Sequence, residues 1–294
     1  MSKNALIVLT ILEKKQSVAA TAKQFNISRA WAYELLKRHQ KLGYPGLEPG
    51  SKKPHTNSRA LPPETHDLIA ALREDLTDKG LDAGAQTIQF LIKQQLGHAP
   101  AISTIWRSLR QRGLVEAAPN KKPKKYLQRF QAEQPNETWQ SDFTHVKLAN
   151  GKDIEVLNFL DDHSRLLLSC TAHYRVTGPI VVEEFMNAVN EYGPPQSTLT
   201  DNGLVFTSRF QKGKNPFEYL LLQLGIEQKN SRPNHPQTQG KIERFHQTLK
   251  KWLAARPKAK TIQELQALLD EFQNVYNQHR PHKAHNGKTP AHAY

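Results

Sequence analysis

A chain of 294 residues has room for two or more packed domains, and 37% hydrophobic with 8% aromatic residues supplies their cores, which excludes wholesale disorder. The single cysteine, Cys170, excludes an internal disulfide framework and a cysteine-based zinc module. Lys and Arg number 41 against 27 Asp and Glu, a net charge of +14, and the excess is uneven: residues 1–130 hold 22 basic and 10 acidic side chains, residues 131–294 hold 19 and 17. A half that can neutralise phosphates is joined to a nearly neutral half in which carboxylates are free for other work.

The apolar run at 5–12 is too short to span a bilayer, and Glu13-Lys14-Lys15 follows it where a secretory signal would have small residues, so it reads as a core helix. The expected location is the cytoplasm, with a polyanionic partner and no membrane partner. Ser17 can cap a helix carrying Val18, Ala19, Ala22 and Phe25. Asn26-Ile27 then turns the chain, and Ser28 can cap a second helix with Ala32, Leu35 and Leu36 inward. Helix, tight turn, helix is the layout of a helix-turn-helix unit, predicted over 1–50. Its second helix would present Ser28, Arg29, Trp31 and Lys37 to a DNA groove. Residues 51–63 read as a Pro- and Lys-rich linker.

A second helical unit is predicted over 64–118. Leu68, Ile69 and Leu72 mark one inner face; Ile88, Leu91, Ile92 and Leu96 mark another. Gly97 to Pro100 breaks the chain, and Ser103 can cap a further helix with Ile105 and Leu109 inward and Thr104, Trp106, Arg107 and Arg110 outward. Two readers in tandem would cover a longer DNA site than one. Residues 119–135 form a basic connector whose Lys121, Lys122, Lys124 and Lys125 can lie along a phosphate backbone. A solvated tether is the other reading of the same residues.

From residue 136 the pattern changes. Strands are predicted at 138–148, 154–160 and 166–172, the first two joined by the hairpin signal Asn150-Gly151. A helix at 180–192, a strand at 197–200, a helix at 217–224, a strand at 226–229 and helices at 237–255 and 261–278 follow. This order gives a mixed five-stranded sheet with helices on both faces.

Three acids stand out by place. Asp142 lies inside the first strand, where an unpaired charge is costly. Asp201 ends the fourth strand, the edge at which open α/β sheets hold their sites. Glu243 lies early in a long helix, beside the apolar stripe Ile242, Phe245, Leu249, Trp252 and Leu253 and on a face with Gln239, His246 and Lys250. Mg²⁺ prefers carboxylate oxygens, and two such ions about 3.5–4 Å apart can activate an attacking oxygen and stabilise a leaving one. Each acid alone is an ordinary turn or cap residue. Asp161 and Asp162 read as hairpin-turn residues, and His163, His235 and His246 as surface or DNA-facing side chains. Lys250 reads equally as a phosphate contact or as part of a solvated helix face.

Four segments in order carry a resemblance: Trp139-Gln140-Ser141-Asp142-Phe143-Thr144, Leu199-Thr200-Asp201-Asn202-Gly203, the run from His235 through Gly240-Lys241-Ile242-Glu243-Arg244-Phe245-His246, and Tyr276-Asn277-Gln278-His279-Arg280-Pro281-His282 with Thr289-Pro290. The sequence resembles the integrase-core transposases of bacterial insertion sequences over nearly its whole length. The resemblance implies a multidomain protein, with all-α helix-turn-helix modules before an α/β ribonuclease-H-like catalytic core at 136–294. It implies an Asp142, Asp201, Glu243 triad as catalytic and metal-ligating residues, two Mg²⁺ (or Mn²⁺) ions, and recognition of terminal inverted repeats. Metal-activated water would cut the strand ends, and the 3′-hydroxyls would join target DNA by transesterification. Double-stranded DNA and at least a dimer on DNA are the implied partners. Lys241, Arg244 and Lys250 are further candidate DNA contacts. A silent DNA-binding regulator and a simple metal-dependent nuclease are the alternatives. One departure is the 42 positions from Asp201 to Glu243, longer than is usual in the group, with the extra residues expected at 209–215.

Overall fold

A computed structural model describes residues 2–49, 60–115, 131–208, 213–230 and 240–294. Most of the 51–63 linker, Lys121, Lys122, Lys124 and Lys125 of the basic connector, positions 209–212 of the expected extra loop, and His235 and Gln239 lie outside the described residues.

Two compact units make up the chain, Met1–Ala60 and Leu61–Tyr294. In the first, α1 (Lys3–Leu12), α2 (Val18–Gln24) and α3 (Arg29–Leu42) enclose Ala5, Ile7, Val8, Leu35 and Leu47. Ser17 and Ser28 cap α2 and α3, accepting from the amides of Ala20 at 3.2 Å and Trp31 at 3.1 Å. Asn26 takes φ 51°, the left-handed conformation that Asn tolerates in a tight turn. Ala19 is exposed, and Thr21 is buried in its place.

The second unit begins with α4 (Pro63–Asp78), α5 (Ala85–Leu96) and α6 (Ile102–Gln111). Ile69, Ile88, Ile92, Ile105 and Leu109 form their core. Two details depart from the sequence reading. Leu96, the last residue of α5, is 52% exposed, and Gly97 ends the helix there in the left-handed conformation. Ser103 lies inside α6 rather than capping it: Pro100-Ala101 sets the extended entry, and Ala101 stands at the cap.

The sheet consists of β1 (Thr138–Lys147), β2 (Asp153–Asp161), β3 (Leu167–His173), β4 (Ser197–Thr200) and β5 (Glu227–Asn230), in the order β3-β2-β1-β4-β5. The pairs β1–β2 and β2–β3 are antiparallel; β1–β4 and β4–β5 are parallel. On one face, Trp139, Leu157, Phe159 and Leu168 meet α7 (Gly178–Tyr192) and α8 (Pro216–Gln223) through Phe185 and Phe217. On the other, Ile154, Val156, Leu160 and Leu167 meet α9 (Gly240–Ala254) and α10 (Ile262–Asn274) through Phe245, Leu249, Trp252 and Phe272. The core is therefore a three-layer α/β domain with a mixed five-stranded sheet. The last predicted helix is α-helical only to Asn274; a π-turn over Val275–His279 follows and aims Asn277 at β3. A short α11 (Pro290–Ala293) ends the chain.

Helices α4–α6 pack on this core. Arg280 donates to Asp82 from Nε at 3.0 Å and Nη2 at 2.5 Å. Arg256 reaches the carbonyl of Lys79 at 3.2 Å, and Lys251 that of Leu81. Gly80, at φ +70°, lies so close to α9 that a Cβ would stand 2.8 Å from the carbonyl of Lys251. Among the described residues no helix is long and apolar enough to cross a membrane.

Candidate active site

Parallel pairing of β1 with β4 aligns Ser141 with Thr200. Asp142 follows Ser141 within β1, and Asp201 is the first residue beyond the end of β4, so the register brings the two aspartates to neighbouring positions at the same end of the sheet. Each carboxylate is steadied locally. Asp142 Oδ1 accepts from the Phe143 amide at 2.8 Å, and Asp201 Oδ1 from the Gly203 amide at 2.8 Å. Gly203 leaves room for this carboxylate, since a Cβ there would stand 2.9 Å from Asp201 Oδ1 and force it to shift.

Glu243 comes from α9, which crosses the face of the sheet that carries Asp142. Ile242, Phe245, Leu249 and Trp252 are buried as the sequence pattern predicts, and Glu243 is exposed beside them. Asp142 feels both other acids: burial first, then Asp201 and Glu243, raise its pKa from 3.8 to about 7 against the Phe143 hydrogen bond. A carboxylate raised by burial and by two neighbouring acids suits a divalent cation, whose charge removes the repulsion on it. Among the described residues no three acids, histidines or cysteines stand close enough to hold one ion together. Ions that each take two of these carboxylates and complete their shell with water and phosphate oxygens need no such trio, and an all-oxygen donor set fits Mg²⁺ or Mn²⁺.

Sequence reasoning missed three neighbours. His246, one turn beyond Glu243, is only 11% exposed; its Nδ1 lies 3.8 Å from Asp142 Oδ2, and its Nε2 lies 3.1 Å from Asn158 Nδ2. Burial, aided by Lys250, lowers its pKa to about 4, so the ring is neutral and does not form an ion pair. Asn158 faces Asp142 directly across the β1–β2 ladder and is fully buried. Asp162, read as a turn residue, is also fully buried and pairs with Lys241 at 2.5 Å. Lys241, a candidate DNA contact, is partly buried, and its ammonium is held by the Asp162 carboxylate. Asp161 does act as a turn residue, accepting from the amide and hydroxyl of Ser164. The signals were present in sequence: an Asn on a strand otherwise apolar on that face, and a second Asp directly after a strand.

The candidate DNA-facing residues divide by exposure. Ser28, Arg29, Trp31 and Lys37 are exposed on α3, and Trp106, Arg107 and Arg110 on α6, where Thr104 is half-buried. Arg38 lies over the Trp31 ring at 5.1 Å and Arg110 over Trp106 at 5.5 Å. Arg244 and Lys250 are exposed on α9.

Two family models, both described as integrase core domain, match residues 132–236 and 224–290, together more than half of the chain. The chain belongs to the integrase-core transposases of insertion sequences. Transposase InsD of insertion element IS2 from Escherichia coli is 25% identical over 299 residues, covering 95% of this chain and 91% of that protein. An uncharacterized 31.7 kDa protein of insertion element IS407 from Burkholderia multivorans is 24% identical, covering 79% of this chain and 82% of its own length. Among solved structures, the magnesium complex of the HTLV-2 integrase catalytic core is 22% identical with a TM-score of 0.44, covering 55% of this chain and 99% of that one. The integrase-core transposase described here is thus a DNA transposase/integrase enzyme, of a family that is metal-dependent.

Proposed function

We propose that this transposase binds the terminal inverted repeats of its element through α3 and α6, cuts the strand ends with water, and joins the freed 3′-hydroxyls to target DNA by direct transesterification. The observation that supports the reading is the parallel pairing of β1 with β4, which brings Asp201, just beyond β4, near Asp142, with Glu243 near enough for Asp142 to feel its charge. Asp142 with Asp201, and Asp142 with Glu243, would hold two Mg²⁺ or Mn²⁺ ions, whose chemistry when bound is to activate the attacking oxygen and stabilise the leaving one. The backbone amides of Phe143 and Gly203 fix the rotamers of the two aspartates, so the oxygens not engaged by them remain available. Neutral His246 fills the space beside Asp142 without competing as a cation. Exposed Arg29, Lys37, Arg107 and Arg110, with the aromatic faces of Trp31 and Trp106, supply phosphate contacts and apolar surface for thymine methyl groups. Arg244 and Lys250, exposed on the helix that carries Glu243, would contact phosphates nearer the cut, and the connector lysines Lys121, Lys122, Lys124 and Lys125 would add further phosphate contacts. Two ends must be joined, so the active form on DNA is at least a dimer.

Strand transfer with end-sequence oligonucleotides, a target duplex and Mg²⁺ tests the reading. Joined products are expected. Cut but unjoined ends would make the protein a nuclease, and bound but intact ends a regulator; either result contradicts the proposal.

A further inference from the structure

Glu243 is exposed, so its place is set by the helix that carries it rather than by packing of its own side chain. That helix is held by polar contacts on both sides of Glu243. Two residues before it, Lys241 Nζ lies 2.5 Å from both oxygens of Asp162. Three residues after it, His246 meets Asn158 of β2 at 3.1 Å. Asp162 joins three parts of the fold. The Ala132 amide donates to its Oδ2 at 2.7 Å, Gln140 of β1 donates to its Oδ1 at 2.5 Å, and Lys241 of α9 completes the shell. Gln140 is two residues before Asp142, on the same face of the same strand. One buried carboxylate therefore ties the strand bearing the first acid to the helix bearing the third.

Apolar packing alone would leave this join imprecise. Ile242, Phe245 and Leu249 fasten α9 to the sheet, but apolar burial is non-directional and tolerates small slides and rotations. A charge-assisted pair with short contacts to both carboxylate oxygens fixes direction as well as distance. A buried ion pair is seldom more stabilising than an apolar pair of the same volume, so stability alone does not explain its presence here.

We propose that Asp162 and Lys241 are positioning residues that set the start of α9 and thereby bring Glu243 to Asp142 and Asp201. The proposal rests on the reading of those three acids as ligands of divalent ions. Neither Asp162 nor Lys241 touches the reacting atoms.

Mn²⁺ binding to the full-length protein without DNA, followed by the spin-resonance signal of free Mn²⁺, separates positioning from mere support. Lys241→Met alone would leave a buried carboxylate unpaired, so the double variant Lys241→Met/Asp162→Asn is the main probe, its folding checked by thermal unfolding. A loss of Mn²⁺ affinity of roughly tenfold is expected, the usual cost of removing a group that orients a ligand. Glu243→Gln should show a similar loss, and adding it to the double variant should cost nothing more, because both act through one side chain. Lys241→Arg, which keeps the charge pairing, should retain most of the affinity. Wild-type Mn²⁺ binding in the folded double variant, fully additive losses with Glu243→Gln, or equal loss in Lys241→Arg would overturn the proposal. Unchanged binding in Glu243→Gln itself would overturn the three-acid reading, and the purpose of the anchor with it.

Discussion

A carboxylate buried beside two others ionises readily only when positive charge is brought to it, and Asp142, raised to about 7, is in that position. Residues that stay neutral are arranged with equal care. His282 is held to a pKa of about 3 by burial, then by Arg280, Arg165, His285 and Arg244, while its Nδ1 accepts from the Ala284 amide at 3.2 Å. The unfolded chain takes up a proton at this residue near 6.5, and the folded chain does so only near 3. Between those values the unfolded state holds more protons, so the stability contributed by neutral His282 is present above 6.5 and lost as pH falls. Thermal midpoints measured from about pH 7 to about pH 4 should drop less steeply in His282→Gln than in the wild type; parallel curves would contradict this. Asp142 and Asp201 were legible in the sequence because a charge inside a strand and an Asp-Asn-Gly turn at a strand end are local signals. Asp162 and Asn158 carried a local signal, but the partners of Asp162 and His246 did not, since those partners lie 79 and 88 positions away and no local pattern records that Lys241 or Asn158 would be opposite.

Among the elements, α3 and the β3 edge show how single polar groups set larger pieces. Ser28 satisfies the Trp31 amide at the start of the helix that bears Arg29, Trp31 and Lys37. Ser28→Ala should cost the first unit about 1 kcal/mol. It should also weaken binding to end DNA, read by fluorescence anisotropy; unchanged affinity would remove α3 from the interface. Asn277 acts as a surrogate strand for β3, accepting from the Leu167 amide at 2.9 Å and donating to its carbonyl at 2.8 Å while 6% exposed. Asn277→Leu removes the acceptor of the Leu167 amide, while the Leu167 carbonyl keeps Gln273 Nε2 at 3.1 Å, and should destabilise the protein by roughly 1–3 kcal/mol in urea unfolding. Element order and the Asn150-Gly151 hairpin could be read from periodicity and turn chemistry. The end of α10 could not, because an apolar face at Phe272 and Tyr276 continues unbroken across the change from α-helix to π-turn.

At the scale of the whole molecule, the second helical module is joined to the catalytic core by few but specific contacts: the Asp82–Arg280 pair, the close seat of Gly80 on α9, and the carbonyls of Lys79 and Leu81. Periodicity reveals the module's three helices and their inner faces, but not its docking, which depends on charges 198 residues apart. Arg280→Met should speed amide exchange in α4–α6 while leaving β1 and β2 protected; equal protection throughout would show that the clasp does not hold the module. The transposase also carries its net charge of +14 mainly in its first 130 residues. Affinity for end DNA should therefore fall steeply with salt, and deleting residues 1–60 should lower the logarithmic slope by about 0.9 for each phosphate that the shortened protein no longer neutralises.

The central claim is that Asp142, Asp201 and Glu243 are metal ligands, and a change of metal preference tests it most directly. Asp142→Cys, Asp201→Cys and Glu243→Cys should each fail to cut end-sequence DNA in Mg²⁺, which binds thiolate poorly, and should regain cutting in the more thiophilic Mn²⁺ or Cd²⁺. Cutting in Mg²⁺ at the wild-type rate by any of the three variants would contradict the account.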